Sequence, residues 1–325
     1  MTALSKLGLG AWAFGGVGWG PQDDRDSIAA IHRAVELGVN WIDTAAVYGA
    51  GHAELIVGRA ISELASSDRP FIFTKAGLGI DPDTGGTYRD LSPASLRTEC
   101  EASLKRLGLD RIDLYQLHWP VADSDVAALA WDTLEELRRE GKIRWAGVSN
   151  FDVELLERCA GMHTIDSVQL PLSLLERQAV ESVLPWAAAH DVSAFIYSPL
   201  ESGLLSGRFS PNRLAALPLD DWRKRRPQFQ MPAVDRSLRL VELLRTIAQE
   251  LNVSPMELAI AWCLHWSAVS GAIVGARSPE QVDGWINAST ITLADHTLDQ
   301  IGAALNETRA GNGPRIAPHQ PAFET

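Results

Sequence analysis

Four side chains of this 325-residue chain, Asp43, Tyr48, Lys75 and His118, have the types and surroundings needed to move a proton onto an oxygen atom. A Tyr phenol is a poor acid at neutral pH, with an unperturbed pKa of about 10. An ammonium beside it favours the phenolate and is expected to lower that value, while a carboxylate behind the Lys keeps the ammonium charged and oriented. A His can then donate a hydrogen bond to a substrate oxygen. Such a group stabilises negative charge developing on a carbonyl oxygen and supplies a proton to it. The competing reading makes Asp43 a helix cap and Tyr48 a half-buried core residue, and it weakens once the placement of all four is considered.

Each of the four stands at or just beyond the end of a short apolar run. Trp41-Ile42 stops at Asp43, with Tyr48 in the small-residue loop that follows; Phe71-Ile72-Phe73-Thr74 stops at Lys75; and Ile112 to Leu117 stops at His118. Further β-like runs at Leu7, Ile143–Val148, Ser167–Leu170, Val192–Tyr197 and Val269–Val274 alternate with helical periodicities, such as Ile28, Ile31, Val35 and Leu37. Ser92-Pro93 and Ser254-Pro255-Met256-Glu257 open helices with a cap and a capping box. Strands alternating with helices predict parallel βαβ units, and about eight of them at this length predict a closed α/β (β/α)8 TIM barrel. Residues 1–325 read as a single domain, with a long loop at about 204–234 after strand 7 and a tail at 311–325. In such a barrel the catalytic groups gather at the C-terminal strand ends. The string Gly8-x-Gly10-x-x-Ala13 mimics a dinucleotide-binding turn but is rejected, because no helix can open on Phe14-Gly15-Gly16-Val17-Gly18-Trp19-Gly20-Pro21.

A formal charge of −12 argues against nucleic acid or an anionic membrane as a partner, so any anion site must be a local basic patch. Cys100, Cys159 and Cys263 are odd in number and widely spaced, which reads as reduced thiols without metal-ligand spacing. No apolar run reaches membrane-spanning length, and the expected location is the cytoplasm. The histidines and carboxylates show no metal-ligand pattern, which disfavours a metal-dependent barrel hydrolase.

With its surroundings, the quartet closely resembles the aldo-keto reductase superfamily, in the branch that also contains potassium-channel beta subunits. The resemblance rests on Asp43-Thr44-Ala45 with Tyr48-Gly49 and Glu54, Thr74-Lys75, Gln116-Leu117-His118, and Gly147-Val148-Ser149-Asn150-Phe151. It continues through Gln169, Tyr197-Ser198-Pro199-Leu200, Gly203-Leu204-Leu205-Ser206-Gly207 and Val274-Gly275-Ala276-Arg277-Ser278, so that it covers nearly the whole chain. It implies an NADPH-dependent reductase of aldehydes or ketones with Tyr48 as general acid, Lys75 and Asp43 tuning it, and His118 orienting the carbonyl.

The resemblance further implies a set of cofactor contacts. Ser149, Asn150 and Gln169 would hold the carboxamide, and Tyr197 would stack on the nicotinamide ring. Ser198, Pro199, Leu200, Gly203, Leu205, Ser206, Gly207 and Arg208 would wrap the pyrophosphate. Gly275, Arg277, Ser278 and Gln281 would meet the adenosine end, where an Arg at a helix start suits the 2′-phosphate of NADP over NAD. Trp12, Phe14, Trp19 and Trp119 are expected to line a pocket for an apolar or aromatic carbonyl compound. The sequence departs from the family where Trp285 replaces a frequent Asn and Val121 a frequent acid. The run Arg223-Lys224-Arg225-Arg226 reads as a solvated face on a loop that closes over cofactor or substrate. A second reading, a cofactor-binding regulatory subunit acting through a protein partner, keeps the same residues and stays open at this point.

Overall fold

The computed structural model describes residues 4–16, 20, 22–81, 83–218 and 221–315. The barrel strands are β1 (Leu7–Gly10), β2 (Trp41–Asp43) and β3 (Phe71–Ala76), then, after a rim hairpin of β4 (Leu78–Ile80) and β5 (Thr87–Arg89), β6 (Ile112–Leu117), β7 (Ile143–Ser149), β8 (Ser167–Pro171), β9 (Ser193–Tyr197) and β10 (Val269–Gly275). They close in the order β1-β10-β9-β8-β7-β6-β3-β2, every barrel pairing parallel, as the alternation of β-like and helical runs predicts.

Helices α1 (Asp24–Glu36), α2 (His52–Ser62), α3 (Pro93–Leu107), α4 (Ser124–Arg139), α5 (Val153–Ala160), α6 (Val183–Ala189), α7 (Pro211–Ala215), α8 (Ala233–Glu250), α9 (Pro255–His265), α10 (Pro279–Asp283) and α11 (Asp295–Thr308) return the chain between and after the strands. Their starts are chemically marked. The Ser92 hydroxyl caps α3 ahead of Pro93, and Ser254 and Glu257 form the reciprocal capping box of α9. α3 stops at Gly108 in the left-handed conformation, φ +65°.

Two cores divide the apolar residues. The larger lies between strands and helices, and a small one fills the barrel with Trp41, Phe73, Leu114, Phe195 and Ile273. Trp41 is its plug, with ring centroids 5.0 Å from those of both Phe73 and Phe195. A Cβ on Gly8 would stand 2.4 Å from the Trp41 ring, and one on Gly271 would stand 2.9 Å from it, so neighbouring strands must be bare where the indole sits. The indole Nε1 donates to the Ser5 carbonyl at 2.9 Å, which leaves no unpaired donor inside the plug.

The long connection after β9 is not a featureless loop. It carries a 3-10 turn at Glu201–Ser206, the short α7, and further 3-10 turns at Trp222–Arg225 and Pro227–Phe229 before α8. Its basic run is not wholly solvated either. Arg223 has a side chain 13% exposed and grips the buried Asp221 at 2.6 Å, whereas Arg225 and Arg226 are exposed as expected. The hairpin β4/β5 had no clear signal, because Leu78-Gly79-Ile80 is too short and Gly-rich to read as a strand. At the far end, buried Arg177 donates to the carbonyls of Ala310 (3.2 Å), Gly313 (3.3 Å) and Pro314 (2.6 Å), and so ties the first part of the tail to the β8–α6 connection. Residues 316–325 of the expected tail, and Trp19, lie outside the described residues.

Candidate active site

Side chains two apart on a strand share a face. The residues above the barrel plug are therefore set by the plug itself: Trp41 is followed by Asp43, Phe73 by Lys75, Leu114 by Gln116 and then His118, and Phe195 by Tyr197. All of these reach the same rim. Lys75 Nζ lies 2.5 Å from Asp43 Oδ1 and 2.9 Å from the Thr44 carbonyl, and both side chains are almost fully buried. The other Asp43 oxygen accepts from Gln169 Nε2 at 2.8 Å. The Lys75 ammonium lies 5.4 Å from the centre of the Tyr48 ring, and the His118 ring meets that same ring edge-on at 5.7 Å.

Tyr48 is delivered by a turn rather than a strand. Thr44 N donates to the Phe73 carbonyl at 2.9 Å and Ala46 N to the Lys75 carbonyl at 3.4 Å, so the chain stays zipped to β3 as it leaves β2. Tyr48 N then closes on the Ala45 carbonyl at 3.1 Å. Gly49, at φ +59°, packs against Gly15 so closely that a Cβ on Gly15 would stand 2.6 Å from Gly49 N. Below the site, buried Glu54 accepts from Thr74 Oγ1 at 2.6 Å and from Arg106 Nε at 2.6 Å, propping the strand that carries Lys75.

The electrostatics correct one expectation. The Tyr48 pKa is not lowered but held well above the usual phenol value, first by burial and then by the Asp43 carboxylate and Tyr197. Removal from water dominates the shift, so that at neutral pH Tyr48 is an uncharged phenol that retains its proton. Burial likewise pushes Lys75 down, opposed by Asp43 and by Glu54. His118 is driven well below the usual imidazole value by burial and by Lys75, so at neutral pH it is uncharged.

Around the quartet, Asn150 acts as a hub. Its φ is +63°, its amide donates to the His118 carbonyl at 3.1 Å and to Ser149 Oγ at 3.0 Å, and it accepts from the Tyr197 hydroxyl at 2.7 Å. The residues expected at the pyrophosphate form a contorted turn: Ser198 (φ +57°), Glu201 (+44°), Ser202 (+55°) and Gly203 (+99°) all occupy the left-handed region. Such backbone costs about 1–3 kcal/mol per non-Gly residue and clusters at ligand clamps. Within it Leu205 is buried and donates to Leu200 O, the Ser206 hydroxyl bonds Gly203 O, Gly207 has φ +72°, and Pro199 is buried. Arg208 is exposed. Burial raises the Glu201 carboxyl to about 7, with Glu176 adding to the rise; nothing in its sequence setting singles this acid out.

At the end of β10, Gly275 is exposed, Ser278 is the N-cap residue of α10, and Gln281 Oε1 accepts from Arg277 N at 3.0 Å. Partial burial and the charge of Arg223 both hold the Arg277 guanidinium below its usual pKa, which places two cations in one neighbourhood. These features fit a bound nicotinamide dinucleotide, with a strained backbone clamp between an aromatic ring and a cationic end. The aromatic residues divide. Trp12, 39% exposed, lies 6.3 Å from Tyr48 and 5.1 Å from Trp222, which the long loop contributes and which carried no signal in the sequence. Trp119 lies under Arg89 of β5 at 5.5 Å. Phe14 is 1% exposed and belongs to the outer core. Trp285 is also buried.

The three thiols are buried, and burial raises Cys100 to about 12 and Cys159 to about 11, which makes both poor nucleophiles. Among the described residues, no group of His, Cys, Asp and Glu is placed to hold a metal ion, and no helix is long and apolar enough to cross a membrane.

Comparison with known proteins points the same way. The chain is 36% identical over 305 residues to the aldo-keto reductase YhdN of Bacillus subtilis, covering 94% of this chain and 91% of that one. It is 33% identical over 307 residues to an NADH-specific methylglyoxal reductase of Escherichia coli, covering 90% and 92%. Among solved structures, the glycerol dehydrogenase AKR11B4 of Gluconobacter oxydans superposes with a TM-score of 0.86 at 35% identity, covering 99% of this chain and 96% of that one. The model of the aldo/keto reductase family matches residues 6–306, and the chain belongs to that family of oxidoreductases.

Proposed function

We propose that the protein reduces aldehydes or ketones to alcohols with NADPH, with Tyr48 as the proton donor. The observation that carries this reading is the stack of the partly buried Tyr48 with the buried Asp43, Lys75 and His118. A neutral phenol with its proton in place sits between an ammonium fixed by a carboxylate and an uncharged imidazole.

The nicotinamide supplies the hydride when bound. Tyr48 places its O–H where the carbonyl oxygen gains charge, and His118 offers that oxygen a second hydrogen-bonding partner. Lys75 lies close enough to stabilise phenolate charge as the proton leaves, and Asp43 holds Lys75 in place. Asn150 fixes His118 and Tyr197 together, and burial keeps water from competing. Ser149, Asn150, Gln169 and Tyr197 would hold the nicotinamide end, residues 198–208 the pyrophosphate, and Gly275, Arg277, Ser278 and Gln281 the adenosine. The charges of Arg277 and Arg223 support NADPH over NADH, although one relative is named NADH-specific. Trp12, Trp119 and Trp222 would wall an apolar or aromatic substrate.

The test is oxidation of NADPH and NADH at matched concentrations with a panel running from methylglyoxal to benzaldehyde. Turnover with NADPH at a kcat/KM at least about tenfold above NADH is expected. Tight binding of NADPH without turnover of any carbonyl would overturn the proposal and point to a partner-binding role.

A further inference from the structure

Gln22 lies in the connection between β1 and α1, far along the chain from Arg277, yet their side chains are locked together. Gln22 Nε2 donates to the Arg277 carbonyl at 2.9 Å, and Gln22 Oε1 accepts from Arg277 Nε at 2.6 Å. The same Nε2 reaches Ser27 Oγ at 2.9 Å, and Ser27, fully buried in the first turn of α1, donates in turn to the Asp23 carbonyl at 3.1 Å. The anchor of this clamp is therefore a rigid helix start. From the other side Gln281 receives Arg277 N.

The chemistry of the clamp is specific to an amide. Position 22 must donate to a carbonyl and accept from a guanidinium with the same planar group, which a carboxylate cannot do because it has no donor. An ammonium has no acceptor. The amide also carries no charge, so it orients the guanidinium by its Nε edge without cancelling the charge that a phosphate would read.

We propose that Gln22 is a positioning residue for coenzyme selection: it holds Arg277 cationic and aimed, and thereby favours a nucleotide bearing a 2′-phosphate over one without it. The inference rests on the reading of Arg277 as the 2′-phosphate ligand. Calorimetric titration of the full chain with adenosine 2′,5′-bisphosphate and with adenosine 5′-phosphate separates the two claims. The ligands differ only in the 2′-phosphate, so a merely structural defect moves both affinities together.

In the wild type the bisphosphate should bind at least about tenfold tighter, the ratio that one charge-assisted hydrogen bond can supply. Gln22→Glu should remove most of that ratio, and Gln22→Leu part of it, with 5′-phosphate affinity unchanged within about twofold. Thermal melts report whether each variant is folded, and Gln22→Asn serves where one is not. A wild type with no preference overturns the NADP reading and the inference with it. A wild-type preference that survives in every folded Gln22 variant overturns the inference alone, as does a parallel loss of both ligands.

Discussion

His118 shows what burial does to a single side chain. Its folded pKa lies well below the unfolded value of about 6.5, so below that pH the unfolded chain binds a proton that the folded chain refuses. The stability contribution is full above about 6.5 and is lost as pH falls. Between pH 7.5 and 5.5 the wild type should lose more stability than His118→Gln, measured as unfolding free energy in denaturant. Parallel losses in the two proteins would show that the imidazole titrates normally. At this scale the convergence of the four side chains was legible, because Asp43, Lys75 and His118 each end a short apolar run and Tyr48 follows in the next loop. The direction of the Tyr48 shift was not. It depends on how much water the neighbours exclude, and a sequence names the charges around a phenol without measuring its desolvation.

Between elements, the contact that aims Tyr48 is backbone against backbone, Gly15 on Gly49, and it joins the turns that follow β1 and β2. An added methyl at Gly15 has no flexible side chain to displace. Gly15→Ala should therefore cost about 1–3 kcal/mol, and by moving the phenol should lower kcat by more than about tenfold while leaving cofactor affinity in place. Gly16→Ala is the control: it has open space around it but φ +71°, so it should lose about 1–2 kcal/mol of stability and keep its kcat. Equal kcat losses in the two variants would argue against the aiming role. Helix starts were readable from their caps, whereas the rim hairpin β4/β5 and the short turns between β9 and α8 were not. Those pieces are held by tertiary partners, such as the Ser202 carbonyl for Arg223 and Trp12 for Trp222, rather than by periodicity. A basic run such as residues 223–226 looks uniform in sequence, and only packing separates its partly buried first member from its exposed last two.

Across the whole molecule, the order of strands and helices specified the closed barrel because each β-like run is bounded by its own turn chemistry and followed by a helical period. The same regularity explains why residues far apart in the chain share a rim: the barrel brings every strand end to one face. The central claim, that this rim protonates a carbonyl through Tyr48, is tested most directly by Tyr48→Phe, which removes one oxygen and keeps the ring that His118 and Lys75 pack against. With NADPH and the best carbonyl of the panel, kcat should fall by about 10²–10⁴-fold, with NADPH affinity and melting temperature close to the wild type. A variant that retained kcat within a few fold would contradict the account and move the proton donor elsewhere.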